Sequence, residues 1–289
     1  MSPLETLSAD LSNLVARAAP ALVSVHTRRS RSSGFVWKPG LVVTAEEALP
    51  DEGEIEVVGP DGQARAATLA GRDPSTDVAL LRVDGLGAEP VELATPELPV
   101  GALALALGAE DGVPTAALGV IARSGPAWRS MRGGQIDRRM ELDLRLRRAA
   151  EGGLALDAFG RAFGMAVLGP RRRTLVIPAE TVARVAARLE THGRVARGYL
   201  GLGLQPVRVD GQEGRGAMVM SVDPDGPGAA AGVRQGDVIM RWDGQEIGHV
   251  RTVLRALTPD SVGRTVTLGL IRGGEARDVP LTIGERPER

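Results

Sequence analysis

The chain predicts a mainly β protein: a double β-barrel followed by a smaller α+β sandwich domain. Two observations carry this. First, short apolar runs broken by Gly, Pro and Asp recur between residues 21 and 177, at 54–58, 67–69, 78–83, 102–107 and 162–168. Many short strands at even spacing with turn signals between them are the pattern of a closed all-β architecture. Second, the 289 residues are 43% hydrophobic, which is enough chain and enough apolar surface for two or three packed units.

Taken in order, the elements begin with a helix. Leu4, Leu7, Leu11, Leu14 and Val15 repeat at helical spacing, and Ser2, Pro3 and Glu5 suit a helix start, so residues 1–19 are expected to be an N-terminal amphipathic helix. Residues 20–190 are expected to be the double barrel. They close with a helix over 179–190 that sets Val182, Val185, Ala186 and Leu189 on one face, and 191–193 mark the boundary. The second domain is expected over 197–285, with strands near 216–219 and 266–272, a hairpin turn at Gly244 and Gln245, and a helix over 249–257. In that helix Val250, Val253, Leu254 and Leu257 fall on one face.

The residues between 140 and 165 resemble a known family. Met140 through Gly153 align without a gap on the pattern I-Q-T-D-A-x-I-N-P-G-N-S-G-G, and the stretch that follows, to Met165, tracks G-G-P-L-V-D-x-x-G-x-V-x-G-I. Ser33-Gly34-Phe35-Val36 with Gly40-Leu41-Val42-Val43-Thr44, Asp73-Pro74-Ser75-Thr76-Asp77-Val78-Ala79-Leu80-Leu81 and Val176-Ile177-Pro178 fit the same pattern. Together they resemble the HtrA (high-temperature-requirement) family of trypsin-like serine proteases carrying PDZ domains. The resemblance covers roughly residues 20–285 and implies a chymotrypsin-like double β-barrel followed by one PDZ domain.

The chemistry the family implies is not repeated residue for residue. A serine protease needs a hydroxyl nucleophile, an imidazole base, a carboxylate that orients it and backbone donors for the oxyanion. On the alignment the aspartate is Asp77, the histidine position holds Glu47 and the serine position holds Glu151; the P-G-N before it reads Arg148-Ala149-Ala150. No catalytic residue is therefore expected, and the triad positions Glu47, Asp77 and Glu151 read as degenerate. The three histidines, His26, His192 and His249, lie outside the triad motifs, and the chain has no cysteine to supply a thiolate. Three converging carboxylates require compensation by a shared proton, a salt bridge or a hard cation. A bridge from Arg147 or Arg148 is the favoured form, with a metal site at Glu47, Asp77 and Glu151 as the alternative.

In the second domain, Arg197-Gly198-Tyr199-Leu200-Gly201-Leu202 resembles the family's carboxylate-binding loop, in which backbone N–H groups cap the C-terminus of a peptide added to a sheet edge. The expected peptide-binding residues are Tyr199, Leu200, Gly201, Leu202, Leu204, Val250 and Val253. Partners are then peptide or protein C-termini. An active HtrA-type paralogue is a further candidate partner, and the resemblance implies a homo-oligomer, a trimer in the family. No cofactor is expected. The expected function is a catalytically inactive scaffold, regulator or chaperone-like factor. The alternative is an active serine endopeptidase, or a carboxylate- or metal-dependent hydrolase.

Composition narrows the remaining classes. With 35 basic and 36 acidic residues the net charge is −1, which argues against nucleic acid as the main partner, and 2% aromatics supply no platform for stacking bases. No run is long and apolar enough for a membrane span. Residues 1–19 show no basic and apolar leader, so the sequence reads as cytoplasmic, or periplasmic if the true start lies upstream.

Overall fold

The computed structural model describes residues 2–208 and 215–287. They fall into two compact units, Met1–Val195 and Ala196–Arg289.

The first unit opens with α1 (Pro3–Ala18). The Ser2 hydroxyl accepts from the Glu5 N–H and the Glu5 carboxylate accepts from the Ser2 N–H at 2.7 Å, a reciprocal cap that satisfies two otherwise unpaired donors. Leu14 is buried, whereas Leu4 and Leu7 are exposed, so the helix packs by its C-terminal half. Six strands then close the first barrel: β1 (Leu22–Thr27), β2 (Arg31–Lys38), β3 (Leu41–Thr44), β4 (Ile55–Val58), β5 (Ala64–Asp73) and β6 (Val78–Val83), in the order β1-β2-β3-β6-β5-β4. The expected run at 67–69 is the middle of the longer β5; Arg65, Thr68 and Arg72 interrupt its apolar text because much of this strand is only partly covered.

The second barrel contains β7 (Leu103–Glu110), β8 (Val113–Gly125), β11 (Arg139–Asp143), β12 (Leu154–Asp157), β13 (Ala162–Leu168) and β14 (Thr174–Pro178), closed as β11-β14-β13-β12-β7-β8. A small hairpin of β9 (Trp128–Arg129) and β10 (Gln135–Ile136) stands apart from it. Each barrel has its own interior, Val23, Val25, Val36, Val42, Val57 and Leu81 in the first and Ile121, Met140, Leu142 and Phe163 in the second. The outward residues of both, among them Leu22, Phe35, Leu80, Leu107, Leu154 and Met165, join a common core. Strands buried on both faces lose the alternation of a half-exposed sheet, which is why their sequences are continuous apolar runs. Val182, Val185, Ala186 and Leu189 of α2 (Ala179–His192) complete that core, and Gly193 ends the helix at φ 71°.

The second unit is a sheet with helices. Its strands are β15 (Gly198–Tyr199), β16 (Leu202–Arg208), β17 (Arg215–Val222), β18 (Val238–Trp242), β19 (Gln245–Glu246), β20 (Thr265–Arg272), β21 (Glu275–Thr282) and β22 (Gly284–Glu285). The main order is β16-β17-β18-β20-β21, with β19 on β18 and β15 on β22, so β16 is an edge strand. Two helices, α3 (Pro227–Ala230) and α4 (Val250–Ala256), accompany the sheet. Its core holds Leu200, Val219, Ile239, Ile247, Val253, Leu268 and Leu281. One buried ion pair locks the unit: Arg272 donates through Nε to Asp237 Oδ1 and through Nη2 to Oδ2, both at 2.7 Å, and Asp237 is 1% exposed.

Candidate functional site

Three turns bring the carboxylates of the first unit together. Residues 46–48 form a single 3-10 turn after β3. Asp77, between β5 and β6, takes a left-handed backbone at φ 59°, which aspartate tolerates better than most residues. Its Oδ1 accepts the Glu47 N–H at 2.8 Å, and its carbonyl accepts the Glu46 N–H at 3.3 Å. From the second barrel, the segment 148–153 tucks against β2 and β3: the Ser33 N–H donates to the Glu151 carbonyl at 2.8 Å, and the Ser33 hydroxyl donates to the Ala149 carbonyl at 2.6 Å. Gly152 is obligatory in that contact. Its φ is 86°, and a Cβ there would lie 2.4 Å from the Ser33 carbonyl oxygen.

Glu47, Asp77 and Glu151 thus come near enough for their charges to act on one another. Burial pushes the Asp77 carboxyl up to about 7; the Glu47 N–H opposes this, while the charges of Glu47, Glu151 and Glu46 reinforce it. Burial likewise raises Glu151, which is 5% exposed, against the Leu168 N–H that its Oε1 accepts at 3.2 Å and the charge of Arg148.

The charge of Arg148 acts on Glu151 without a direct pair, while other arginines meet Glu46 and Glu47. Among the described residues neither Arg147 nor Arg148 forms an ion pair. Arg132, from the loop between β9 and β10, reaches Glu47 at 3.4 Å and Glu46 at 3.5 Å, and Arg72 of β5 meets Glu46 at 2.9 Å. The turn holding Glu46 and Glu47 lies against β5 and the β9–β10 hairpin, and these two elements supply Arg72 and Arg132. Glu46 and its two arginines escaped the sequence reading. A second glutamate beside Glu47 was the available signal for Glu46; nothing in the text marks Arg132, which comes from another hairpin. Burial raises the Glu46 carboxyl, with Arg72 and Arg132 opposing. Among the described residues no group of three or more His, Asp or Glu side chains is placed to hold a metal ion. Asp77 spends an oxygen on a backbone N–H of its neighbour, and Glu151 spends one on Leu168.

The backbone at the serine position is also committed. Residues 148–150 form a 3-10 turn in which the Glu151 N–H donates to the Arg148 carbonyl at 3.1 Å and the Ala150 N–H to the Arg147 carbonyl at 2.9 Å. The histidines are engaged elsewhere: His26 with Asp111 at 3.2 Å, His192 with the Thr191 hydroxyl at 2.6 Å, and His249 as the cap of α4, accepting the Arg251 N–H at 3.1 Å.

In the second unit, the turn between β15 and β16 directs its carbonyls inward. Gly228 N–H donates to the Leu200 carbonyl at 2.7 Å and Asp223 N–H to the Gly201 carbonyl at 2.8 Å, while the N–H groups of Leu200 and Gly201 donate to nothing among the described residues. Gly201 sits at φ 69° and packs against Gly226, where a Cβ would come within 2.9 Å of the Gly226 Cα. Tyr199 is tied by its hydroxyl to Asp223 at 2.7 Å. Leu202 and Leu204 are half-buried on edge strand β16, whereas Leu200, Val250 and Val253 are buried in the core, Val253 completely. These three therefore hold α4 and the turn to the sheet, and the exposed apolar side chain of α4 is Leu254.

Two closed six-stranded barrels with a carboxylate at their junction, followed by a sheet with an open edge, define a trypsin-like peptidase fold joined to a PDZ domain. Comparison with known proteins agrees. Residues 32–165 match the trypsin-like peptidase domain and residues 198–283 the PDZ domain. The chain is 30% identical over 311 residues to a probable periplasmic serine endoprotease DegP-like of Bartonella henselae, covering 99% of this chain and 60% of that protein. It is 30% identical over 276 residues to the protein of the same name from Halomonas elongata, covering 90% and 58%. The chain thus spans about 60% of the length of these relatives. Among solved structures it is similar to the serine endoprotease from Yersinia pestis, with a TM-score of 0.74 and 27% identity over 96% of this chain and 98% of that one. It is also similar to the HtrA-type protease AlgW with a tripeptide, with a TM-score of 0.70 and 26% identity over the same shares. The chain belongs to the HtrA-like family.

Proposed function

We propose that this chain is a catalytically inactive HtrA-like protein that binds peptide or protein C-termini through its PDZ domain. The observation that carries the first half is the environment of Asp77. The carboxylate that would orient a histidine accepts the backbone N–H of Glu47 and feels the charges of Glu47, Glu151 and Glu46, and among the described residues no imidazole or hydroxyl donates to it. A triad lacking base and nucleophile retains little of its rate. The 3-10 turn at 148–150 adds to this by using the Glu151 N–H, a donor an oxyanion would need.

Peptide binding is supported by the undonated N–H groups of Leu200 and Gly201 next to edge strand β16, a geometry suited to strand addition ending in a carboxylate. Leu202 and Leu204 would take alternate side chains of the ligand. The relatives are named periplasmic, which favours the periplasm over the cytoplasm, and among the described residues no helix is long and apolar enough to cross a membrane. Assembly as a homo-oligomer, the family trimer included, and a role as scaffold or regulator of an active paralogue belong to the same reading.

The relatives are also named endoproteases, so the decisive experiment is an assay on unfolded casein with and without a chelator. No cleavage is expected from the parent, and none from the Glu47→His, Glu151→Ser double variant while the 148–150 turn persists. Cleavage by the parent that disappears in Glu151→Gln would overturn the proposal and make the carboxylates a working site.

A further inference from the structure

The loop after β11 and the β13–β14 hairpin meet at one end of the second barrel. Leu142 pairs with Thr174 across the ladder, the Thr174 hydroxyl donates to the Leu144 carbonyl at 3.0 Å, and Glu151 at the far end of the loop reaches the Leu168 N–H. The first loop carries Arg145, Arg147 and Arg148 and the second Arg171, Arg172 and Arg173, all exposed. Arg139, Arg173 and Arg123 surround Glu141 at 2.7, 3.2 and 3.7 Å. Three guanidiniums thus share one carboxylate. Arg148 acts on Glu151 at longer range. Arg145, Arg147, Arg171 and Arg172 have no carboxylate partner among the described residues.

This is a local excess in a chain whose basic and acidic residues balance overall, 35 against 36. Elsewhere arginines such as Arg65, Arg184, Arg241 and Arg272 are paired.

We infer that this arginine-lined end of the second barrel binds an acidic polypeptide segment, separately from the carboxylate-capping turn of the second unit. The guanidinium fork matches carboxylates in two-point contact. Half-buried Leu144 and Leu168, one beside each arginine run, pack against a shared buried cluster and give apolar side chains of such a segment a place to rest. Single-stranded nucleic acid would call for stacking surfaces, and neither 144–148 nor 168–173 contains an aromatic residue. The inference holds whether or not the carboxylate cluster is catalytic.

The test is fluorescence anisotropy on the full chain with a labelled, C-terminally amidated peptide rich in Asp and Glu, beside its Asn and Gln counterpart. Amidation removes the terminal carboxylate that the PDZ turn would cap. The acidic peptide is expected to bind and the neutral one not, with affinity falling about tenfold from low to physiological salt. Arg171→Gly with Arg172→Gly, which also relieves φ values of 60° and 58°, is expected to weaken binding about tenfold. Arg145→Gln with Arg147→Gln is an independent pair expected to do the same, and Gly201→Val, which removes the capping turn, is expected to leave the affinity for this amidated peptide unaltered. Equal binding of the neutral peptide, unchanged affinity in both arginine pairs, or tighter binding of a single-stranded oligonucleotide of equal charge would overturn the inference.

Discussion

Asp77 concentrates the electrostatic cost of the first unit in one side chain. Its carboxyl titrates near 7 in the folded chain against an ordinary value of 3.8, so the folded state holds its proton more tightly. Stability from this group is therefore full below about pH 4 and lost as pH rises through 7; Glu46 and Glu151, also raised, act in the same sense. Asp77→Asn keeps an acceptor for the Glu47 N–H, tolerates the positive φ and removes the charge. It is expected to match the parent at pH 4 and to exceed it at pH 7.5 by on the order of 2 kcal/mol. Thermal unfolding at the two pH values checks this; a parent already as stable at 7.5 as the variant would contradict it. Glu46 has a second role, because its carboxylate also pairs with Arg72 and Arg132. Glu46→Ala leaves both guanidiniums without that partner and is expected to cost about 2–3 kcal/mol, measurable by denaturant unfolding.

At the scale of elements, the turn between β15 and β16 depends on one residue. Gly201→Val places a β-branched side chain at φ 69° and against Gly226, and is expected to abolish binding of a free-carboxylate peptide while the barrels stay folded. Calorimetric titration reads the loss, and unchanged affinity would remove the turn from the binding site. The pairing of β18 with β20 is held at one end by Arg272 on Asp237. Burial acts first to raise the Asp237 carboxyl, and the Arg272 bonds with the Arg234 N–H outweigh it, so the value is lowered. The sign is then opposite to that of Asp77: this stability is present above the ordinary carboxylate range and lost as pH falls through the folded value. Arg272→Ala is expected to destabilise the second unit by about 3–5 kcal/mol at neutral pH, with a smaller loss in acid.

For the whole molecule, two compact units with separate cores predict two calorimetric transitions. Arg272→Ala is expected to lower one and Asp77→Asn at pH 7.5 to raise the other; a single transition moved by both variants would show that the units unfold together. Much of this architecture was legible in the text. Ser2 and Glu5 announced the start of α1, the apolar runs announced the barrel strands, and Gly244 announced the β18–β19 hairpin, because capping, burial on both faces and positive φ each demand particular residues nearby in sequence. The motifs likewise singled out Glu47, Asp77 and Glu151, since their neighbours are local. The sequence could not reveal that Arg132 and Arg72 answer the glutamates, that Val253 is core, or that two arginine loops share one end of a barrel. Those facts join residues far apart in the chain, and only the closure of the sheets decides which distant side chains become neighbours and which charges are left unmatched.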